Sequence, residues 1–215
     1  MAQAKGPDNG PMGPDTGPRR TDGAAVRRAF DRREPAVHGI AEQAGRLSEV
    51  CRDMAARFQR GGRLFTFGNG ASATDASHLA VEFMHPAIVG KRALPAVALG
   101  NDSATLSGIG TQEGFAEVFE HQLRAFSTTG DIALGISPDG RCPNVHHAVA
   151  AARELGLLTV VLSGGAPGDA PAADHLLVVR SADPLVVKES HMTLYHLLWE
   201  MAQVFLERYG TELIA

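Results

Sequence analysis

A glycine-rich turn and a histidine–glutamate pair lie within one short segment, GNGASATDASHLAVE (residues 68 to 82). His78 and Glu82 are four residues apart, so on a helix their side chains project from one face and can converge on one metal ion or one substrate atom. A purely structural hydrogen bond between the two side chains also explains this spacing. The pair alone leaves both interpretations open.

The turn that precedes this pair runs from Gly68 to Ser72 and joins an apolar run to the predicted helix. Free backbone N–H groups and the positive end of the helix dipole at such a turn suit a phosphate or a sugar hydroxyl. A turn of this composition also serves simply as a tight connection. It lacks both the GxGxxG spacing of dinucleotide folds and the GK[ST] of a P-loop, so we expect no nucleotide cofactor.

Two further segments carry residues capable of chemistry: SPDGRCPN (137 to 144), which follows an apolar run, and KESHMTLYHLLWE (188 to 200) near the C-terminus. Lys188 and His196 are eight residues apart, which places them on roughly one face of a helix, and His191 lies between them. The alternative is an amphipathic helix that packs through Leu194, Leu198 and Phe205, with its histidines at the edge of the core.

The elements that must position these residues follow from alternating apolar and amphipathic segments. Five short apolar runs predict strands that are buried on both faces, as in a parallel sheet: LFTF (64 to 67), PAVAL (95 to 99), IALGI (132 to 136), LTVVL (158 to 162) and HLLVV (175 to 179). Helices are predicted over 72 to 84, 114 to 126 and 143 to 155, and from about Asp183 to Arg208. This alternation predicts an α/β fold, a three-layer α/β/α sandwich with a five-stranded, mainly parallel sheet, whose ligands bind beyond the carboxyl ends of the strands.

The N-terminal region divides into a polar tail and an amphipathic segment. Residues 1 to 23 contain five Gly and four Pro, which predicts a disordered tail because almost nothing apolar is available to bury. From Ile40 to Phe58 the apolar residues recur in steps of four and three, which predicts one N-terminal helix that ends at Gly61 and Gly62. Residues 24 to 215 are expected to form a single domain that includes this helix.

Composition excludes several classes of function. A formal net charge of -4 provides no basic field for nucleic acid, and no run reaches the roughly 18 apolar residues that a membrane span requires. We therefore expect neither nucleic acid nor a membrane as a partner. Cys51 and Cys142 form no CxxC pattern and fit a reducing compartment, so we expect a cytoplasmic location.

The order of these motifs resembles a known family. GNGAS, HxxxE, ALPAVAL, SxxGxxxN and a late ExHxxxxH helix follow one another as in the sugar isomerase (SIS) domain family, specifically its phosphoheptose isomerase branch, over about residues 36 to 208. The resemblance implies a SIS domain with a flavodoxin-like sheet. It also implies that sedoheptulose 7-phosphate is converted to D-glycero-D-manno-heptose 7-phosphate through an enediol, with Glu82 as general base and His196 as general acid.

The resemblance also implies a set of substrate contacts and a metal site. A zinc ion can be held by His78, Glu82 and His196, whereas the family's glutamine ligand is replaced by Lys188, whose ammonium has no lone pair to give a cation. Lys188 can instead stabilise the negative charge of an enediolate. The expected substrate-binding residues are Asn69, Gly70, Ser72, Asp102, Ser137, Arg141 and Lys188.

The expected phosphate loop departs from the family pattern. The usual STSGxS is replaced by SPDGRC (137 to 142), in which Asp139 adds a negative charge and Pro138 removes a backbone donor. Arg141 can restore attraction by gripping a phosphate with two N–H groups.

These departures leave a second class of function open. The alternative is a non-catalytic SIS-domain protein that binds sugar phosphates or has a regulatory role, similar to the relatives that associate with the DnaA replication initiator. Those relatives tend to lose the late histidine, whereas His196 is retained here. The resemblance further implies a homotetramer, in which the N-terminal helix packs between subunits and the active sites lie at the interfaces.

Overall fold

The computed structural model describes residues 23–209. The predicted tail, residues 1 to 23, lies outside this range except for Gly23, the first residue of the first helix. The elements in chain order are α1 (Gly23–Asp31), α2 (Glu34–Ala41), α3 (Ala44–Gln59), β1 (Leu64–Gly68), α4 (Ala71–Met84), β2 (Ala96–Ala98), α5 (Ser103–Gln112), α6 (Glu120–Phe126), β3 (Ile132–Ser137), α7 (Pro143–Glu154), β4 (Leu158–Gly164), β5 (His175–Val179) and α8 (Pro184–Tyr209).

The strands form one sheet in the order β2-β1-β3-β4-β5, and every pairing among the described strands is parallel. Helices α2, α3, α4 and α8 pack on one face of the sheet, and α5, α6 and α7 pack on the other. Successive strand residues alternate between the two cores, so Ile132 and Leu134 face one and Ala133 faces the other. The predicted three-layer sandwich and its flavodoxin-like strand order are confirmed.

The predicted N-terminal helix is wrong in one respect, because its apolar stripe continues across two helices. Ile40 belongs to α2, and the stripe resumes in α3, which ends at Gln59. At the break, the Gln43 side chain donates to the carbonyl of Val178 at 2.9 Å and accepts from the N–H of Val178 at 3.1 Å. The chain therefore bends where Gln43 binds the edge strand β5.

Two other helix predictions need correction. The segment 114 to 126 is a 3-10 turn, Phe115–Glu117, followed by the short helix α6. Helix α5 was not predicted, although Asp102 caps its start by accepting from the N–H groups of Ala104 and Thr105. Between residues 23 and 209, no helix combines the length and apolar character that crossing a bilayer would need.

Candidate functional site

Helices α4 and α8 bring together three of the predicted site residues. Ligand atoms of His78, Glu82 and His196 all lie within 4.8 Å of one another, and all three residues are half-buried. Nε2 of His78 is 3.3 Å from Oε1 of Glu82, and the rings of His78 and His196 meet edge-on with centroids 5.1 Å apart. The predicted pair and the late histidine therefore form one cluster.

This cluster exists because each helix buries one face and turns a neighbouring face toward the other helix. On α4, Leu79 and Phe83 enter the core, which leaves His78 and Glu82 on its flank. On α8, Leu194 and Leu198 are buried, as the amphipathic interpretation requires, yet His196 faces α4.

His191 agrees with the other interpretation of α8, an amphipathic helix whose histidines belong to the core. It is 1% exposed, and burial lowers its pKa, although the backbone of Ser163 and the charge of Asp75 act in the opposite direction. His191 is therefore a core histidine that is neutral near pH 7, and it is not one of the three clustered residues.

A second row of polar side chains lies behind His78. The hydroxyl of Tyr195 is 2.9 Å from Nδ1 of His78 and 3.4 Å from Oδ1 of Asp75, and Nζ of Lys188 is 2.5 Å from that same Asp75 oxygen. Tyr195 and Asp75 are both buried. Burial and the nearby Asp75 raise the pKa of Tyr195 well above its usual range, so the hydroxyl keeps its proton near neutral pH.

Sequence reasoning missed Asp75 and Tyr195. A signal for Asp75 was present, because it lies four residues before Leu79 on the apolar stripe of α4, where an unpaired charge is rare. No comparable signal marks Tyr195, since an aromatic residue on a buried helix face is ordinary.

The structure places Lys188 at the first turn of α4. Besides Asp75, its ammonium donates to the carbonyl of Ala71 at 2.7 Å and to Oγ1 of Thr74 at 3.1 Å. These contacts match the three donors that an ammonium possesses. Lys188 is thus connected to the cluster through Asp75 and Tyr195.

The glycine-rich turn is held by close backbone packing and by an amide pair. Gly70 has φ of +54°, and a Cβ at Gly68 would lie 2.9 Å from Cβ of Ser72, which is itself buried. The side chains of Asn69 and Asn144 exchange two hydrogen bonds of 2.8 and 2.9 Å. This pair fixes the turn after β1 against the start of α7.

The expected phosphate loop is bonded largely to itself. Oγ of Ser137 accepts from the N–H of Gly140 at 3.0 Å, and Oδ1 of Asp139 accepts from the N–H of Arg141 at 3.0 Å. The guanidinium of Arg141 donates to Oδ2 of Asp169 at 2.8 and 3.1 Å. An incoming phosphate would therefore compete with Asp169 for Arg141.

Asp102 caps the N-terminus of α5. Its carboxylate also accepts from Oγ1 of Thr105 at 2.7 Å, and the bonds from Thr105 and Ala104 lower its pKa. It lines a cleft of about 540 Å³ together with Ser77 and Asn101.

The candidate residues thus lie in three locations. The turn after β1 and the Ser137 loop lie at the carboxyl edge of the sheet, where the topology predicts ligand binding. His78 lies seven residues beyond Ala71, about 10 Å further along α4 at 1.5 Å per residue. Asp102 lines a third location, the cleft beside β2.

Comparisons with known proteins support the resemblance. The sequence model of the SIS domain matches residues 33–164. A phosphoheptose isomerase from Desulfovibrio desulfuricans is 40% identical over 186 residues, covering 86% of this chain and 84% of the relative.

Solved structures agree with these sequence matches. The phosphoheptose isomerase of Neisseria gonorrhoeae superposes with a TM-score of 0.78 at 30% identity, covering 86% of this chain and 100% of that one. The Francisella tularensis phosphoheptose isomerase gives 0.75 at 26% identity, covering 86% and 99%. The chain therefore belongs to the SIS domain family, and within it to the phosphoheptose isomerase branch.

Proposed function

We propose that this protein is a phosphosugar aldose–ketose isomerase that converts sedoheptulose 7-phosphate to D-glycero-D-manno-heptose 7-phosphate or acts on a close analogue. The observation that carries the proposal is the convergence of His78, Glu82 and His196 within 4.8 Å. The proposal is also supported by similar proteins that are named phosphoheptose isomerase.

The cluster contains the two groups that an enediol mechanism needs. Glu82, as general base, removes the proton from the carbon next to the carbonyl, while His196, as general acid, protonates the carbonyl oxygen. Glu82 then returns its proton to the former carbonyl carbon, while the enediol hydroxyl on the other carbon gives its proton to His196. The new carbonyl forms and both residues regain their starting protonation states. His78 contacts Glu82 and holds the carboxylate in place for both transfers.

The donor set also fits a zinc ion. Two imidazoles and one carboxylate are the three protein ligands typical of a catalytic zinc site, and His78, Glu82 and His196 would supply them. Bound zinc would polarise the substrate oxygens that become negatively charged. Metal analysis of the purified protein tests this part of the proposal independently of turnover.

A direct assay tests the activity. The protein is incubated with sedoheptulose 7-phosphate, with and without added zinc, and the heptose 7-phosphate product is measured. Glu82→Gln and His196→Asn should each reduce product formation about 10²- to 10⁴-fold while the fold is retained. Glu113→Gln and His121→Asn are matched controls, since these residues form a surface His–Glu contact of 3.0 Å elsewhere, and they should leave turnover unchanged.

One observation favours the second candidate, a non-catalytic sugar-phosphate-binding or regulatory protein. The Ser137 loop carries a carboxylate, and its Arg141 is already paired with Asp169. Binding of the sugar phosphate without product in either assay condition would support that candidate and refute the isomerase.

We also propose a homotetramer, as the resemblance implies. An apolar cleft between the N-terminal helices and α8 supports an interface there; it is lined by Ile40, Leu47, Leu197 and Met201 among others. Light scattering at micromolar concentration should give four times the chain mass, and a monomer would contradict the proposal.

A further inference from the structure

The Tyr195 hydroxyl lies between two groups that can each accept a hydrogen bond from it. Nδ1 of His78 is 2.9 Å away and Oδ1 of Asp75 is 3.4 Å away. A hydroxyl has one hydrogen to donate, so it can satisfy only one of these acceptors at a time. For a neutral His78 ring, this choice determines which of the two nitrogens carries the proton.

Two arrangements follow for the neutral His78 ring. If Tyr195 donates to Nδ1, the ring proton is on Nε2 and points toward Oε1 of Glu82, 3.3 Å away. If Tyr195 donates to Asp75, Nδ1 of His78 carries the proton and donates to the hydroxyl oxygen, which leaves a lone pair on Nε2. Only the second arrangement makes Nε2 a metal ligand, since the bond at one ring nitrogen sets the state of the other.

Lys188 biases this choice through Asp75. Its ammonium contacts the same Oδ1 that faces Tyr195, at 2.5 Å, whereas Oδ2 has no hydrogen-bond partner in the described part of the chain. A cation on Oδ1 draws electron density from that oxygen and occupies the space around it. Asp75 is thereby a weaker acceptor for Tyr195, and the shorter contact to His78 is favoured.

We propose that Tyr195 is a positioning residue which, under the influence of the Lys188–Asp75 ion pair, holds the proton of His78 on Nε2, directed at Glu82. This inference deepens the proposed isomerase function and rests on it for its catalytic meaning. His78 then serves as a hydrogen-bond donor to the general base in the metal-free protein, and zinc binding through Nε2 would require this proton to move to Nδ1. The cationic residue at 188 and the tyrosine at 195 therefore act together on one ring.

Nuclear magnetic resonance of the histidine rings tests the proposal. The full-length, metal-free protein is labelled with ¹⁵N in its histidine rings, and the His78 signals are assigned by their loss in His78→Gln. The wild-type protein should show His78 with its proton on Nε2. A proton on Nδ1 in the wild-type protein would overturn the proposal.

Three variants sharpen the test. Tyr195→Phe preserves the ring and its packing but removes the hydroxyl, so the His78 signals should move toward a mixture of the two tautomers. Lys188→Gln should move them toward the Nδ1 form, whereas Lys188→Arg retains the cation and should resemble the wild type. Unchanged His78 signals in Tyr195→Phe would overturn the assignment of Tyr195.

Kinetics separate a positioning role from a loss of structure. In Tyr195→Phe, kcat should fall about 10- to 100-fold, the range typical when a residue that is hydrogen-bonded to an active-site histidine is replaced. KM should stay within about twofold, because the hydroxyl belongs to a buried residue and contacts His78 and Asp75. The tautomer measurement uses no substrate, so failure of the isomerase assay and failure of this inference can be told apart.

Discussion

The ion pair between Lys188 and Asp75 ties the first part of α8 to the beginning of α4, and its removal should be costly. The Asp75 side chain is 2% exposed, and Lys188 holds its Oδ1 at 2.5 Å. Lys188→Met keeps most of the side-chain length but leaves the buried carboxylate with the Tyr195 hydroxyl as its hydrogen-bond partner among the described residues. Breaking a buried pair from one side costs about 3 to 5 kcal/mol. Because Lys188 is 31% exposed, we expect the lower end, about 3 kcal/mol.

That cost can be measured as a change in unfolding. For a domain of this size, 1 kcal/mol shifts Tm by about 2 to 4 °C, so Lys188→Met should lower Tm by about 6 to 12 °C. Urea titrations at one fixed protein concentration give the free energy directly and keep any subunit association constant.

A double variant provides the control. Asp75→Asn combined with Lys188→Met removes both charges, so more than half of the lost stability should return. A loss below about 1 kcal/mol in Lys188→Met would refute the reasoning, since it would mean that water reaches the Asp75 carboxylate. Strictly additive losses in the double variant would contradict the direct interaction.

Three further predictions concern individual side chains. Glu82→Gln should reduce kcat about 10²- to 10⁴-fold without lowering Tm, and a near-normal rate would rule Glu82 out as the base. Arg141→Gln should raise KM with kcat unchanged if the guanidinium leaves Asp169 for the substrate phosphate; an unchanged KM would show that it does not. Burial acts to raise the pKa of Asp131, but hydrogen bonds from Arg63 and Thr128 outweigh it, and the pKa is lowered in the folded protein. The charged Asp131 therefore stabilises the fold fully above the pKa of an unfolded aspartate, about 3.9, and this stabilisation is lost as the pH falls below that value. Asp131→Asn should therefore cost about 2 kcal/mol in urea titrations at pH 7 and less at pH 3, and equal losses at both pH values would contradict this.

Burial on both faces explains why the three central strands could be predicted from the sequence. Every residue of β1, β3 and β4 is buried and each strand contains a largely apolar run, so mainly the strand ends were left open. The expectation of burial on both faces was wrong for the edge strands β2 and β5, because Val97 is exposed and the first two residues of β5 are only partly buried. Helix α5 has no such signal, because Ile109 is its only buried residue among those described and no apolar stripe forms. The break before α3 could not be predicted from the sequence either, since it depends on the contact between Gln43 and Val178 of a distant strand.

The candidate site was predictable where one helix carries the pattern. Glu82 and His78 lie on one face of α4 because of their spacing alone. The participation of Tyr195 depends on how α8 lies beside α4, which local spacing does not determine. The pairing of Arg141 with Asp169 likewise joins two loops that are far apart in sequence.

The arrangement of α8 changes what the lysine at position 188 means for the site. If Lys188 mattered only as the replacement of a metal ligand, it would affect only zinc binding. However, Lys188 and Tyr195 are seven residues apart, which is two helical turns, so both reach Oδ1 of the same aspartate. Restoring glutamine at 188 alone would therefore free Asp75 to accept from Tyr195 as well as supply a neutral side chain. The consequences of the two positions for His78 are not independent, and they can be understood only as a pair.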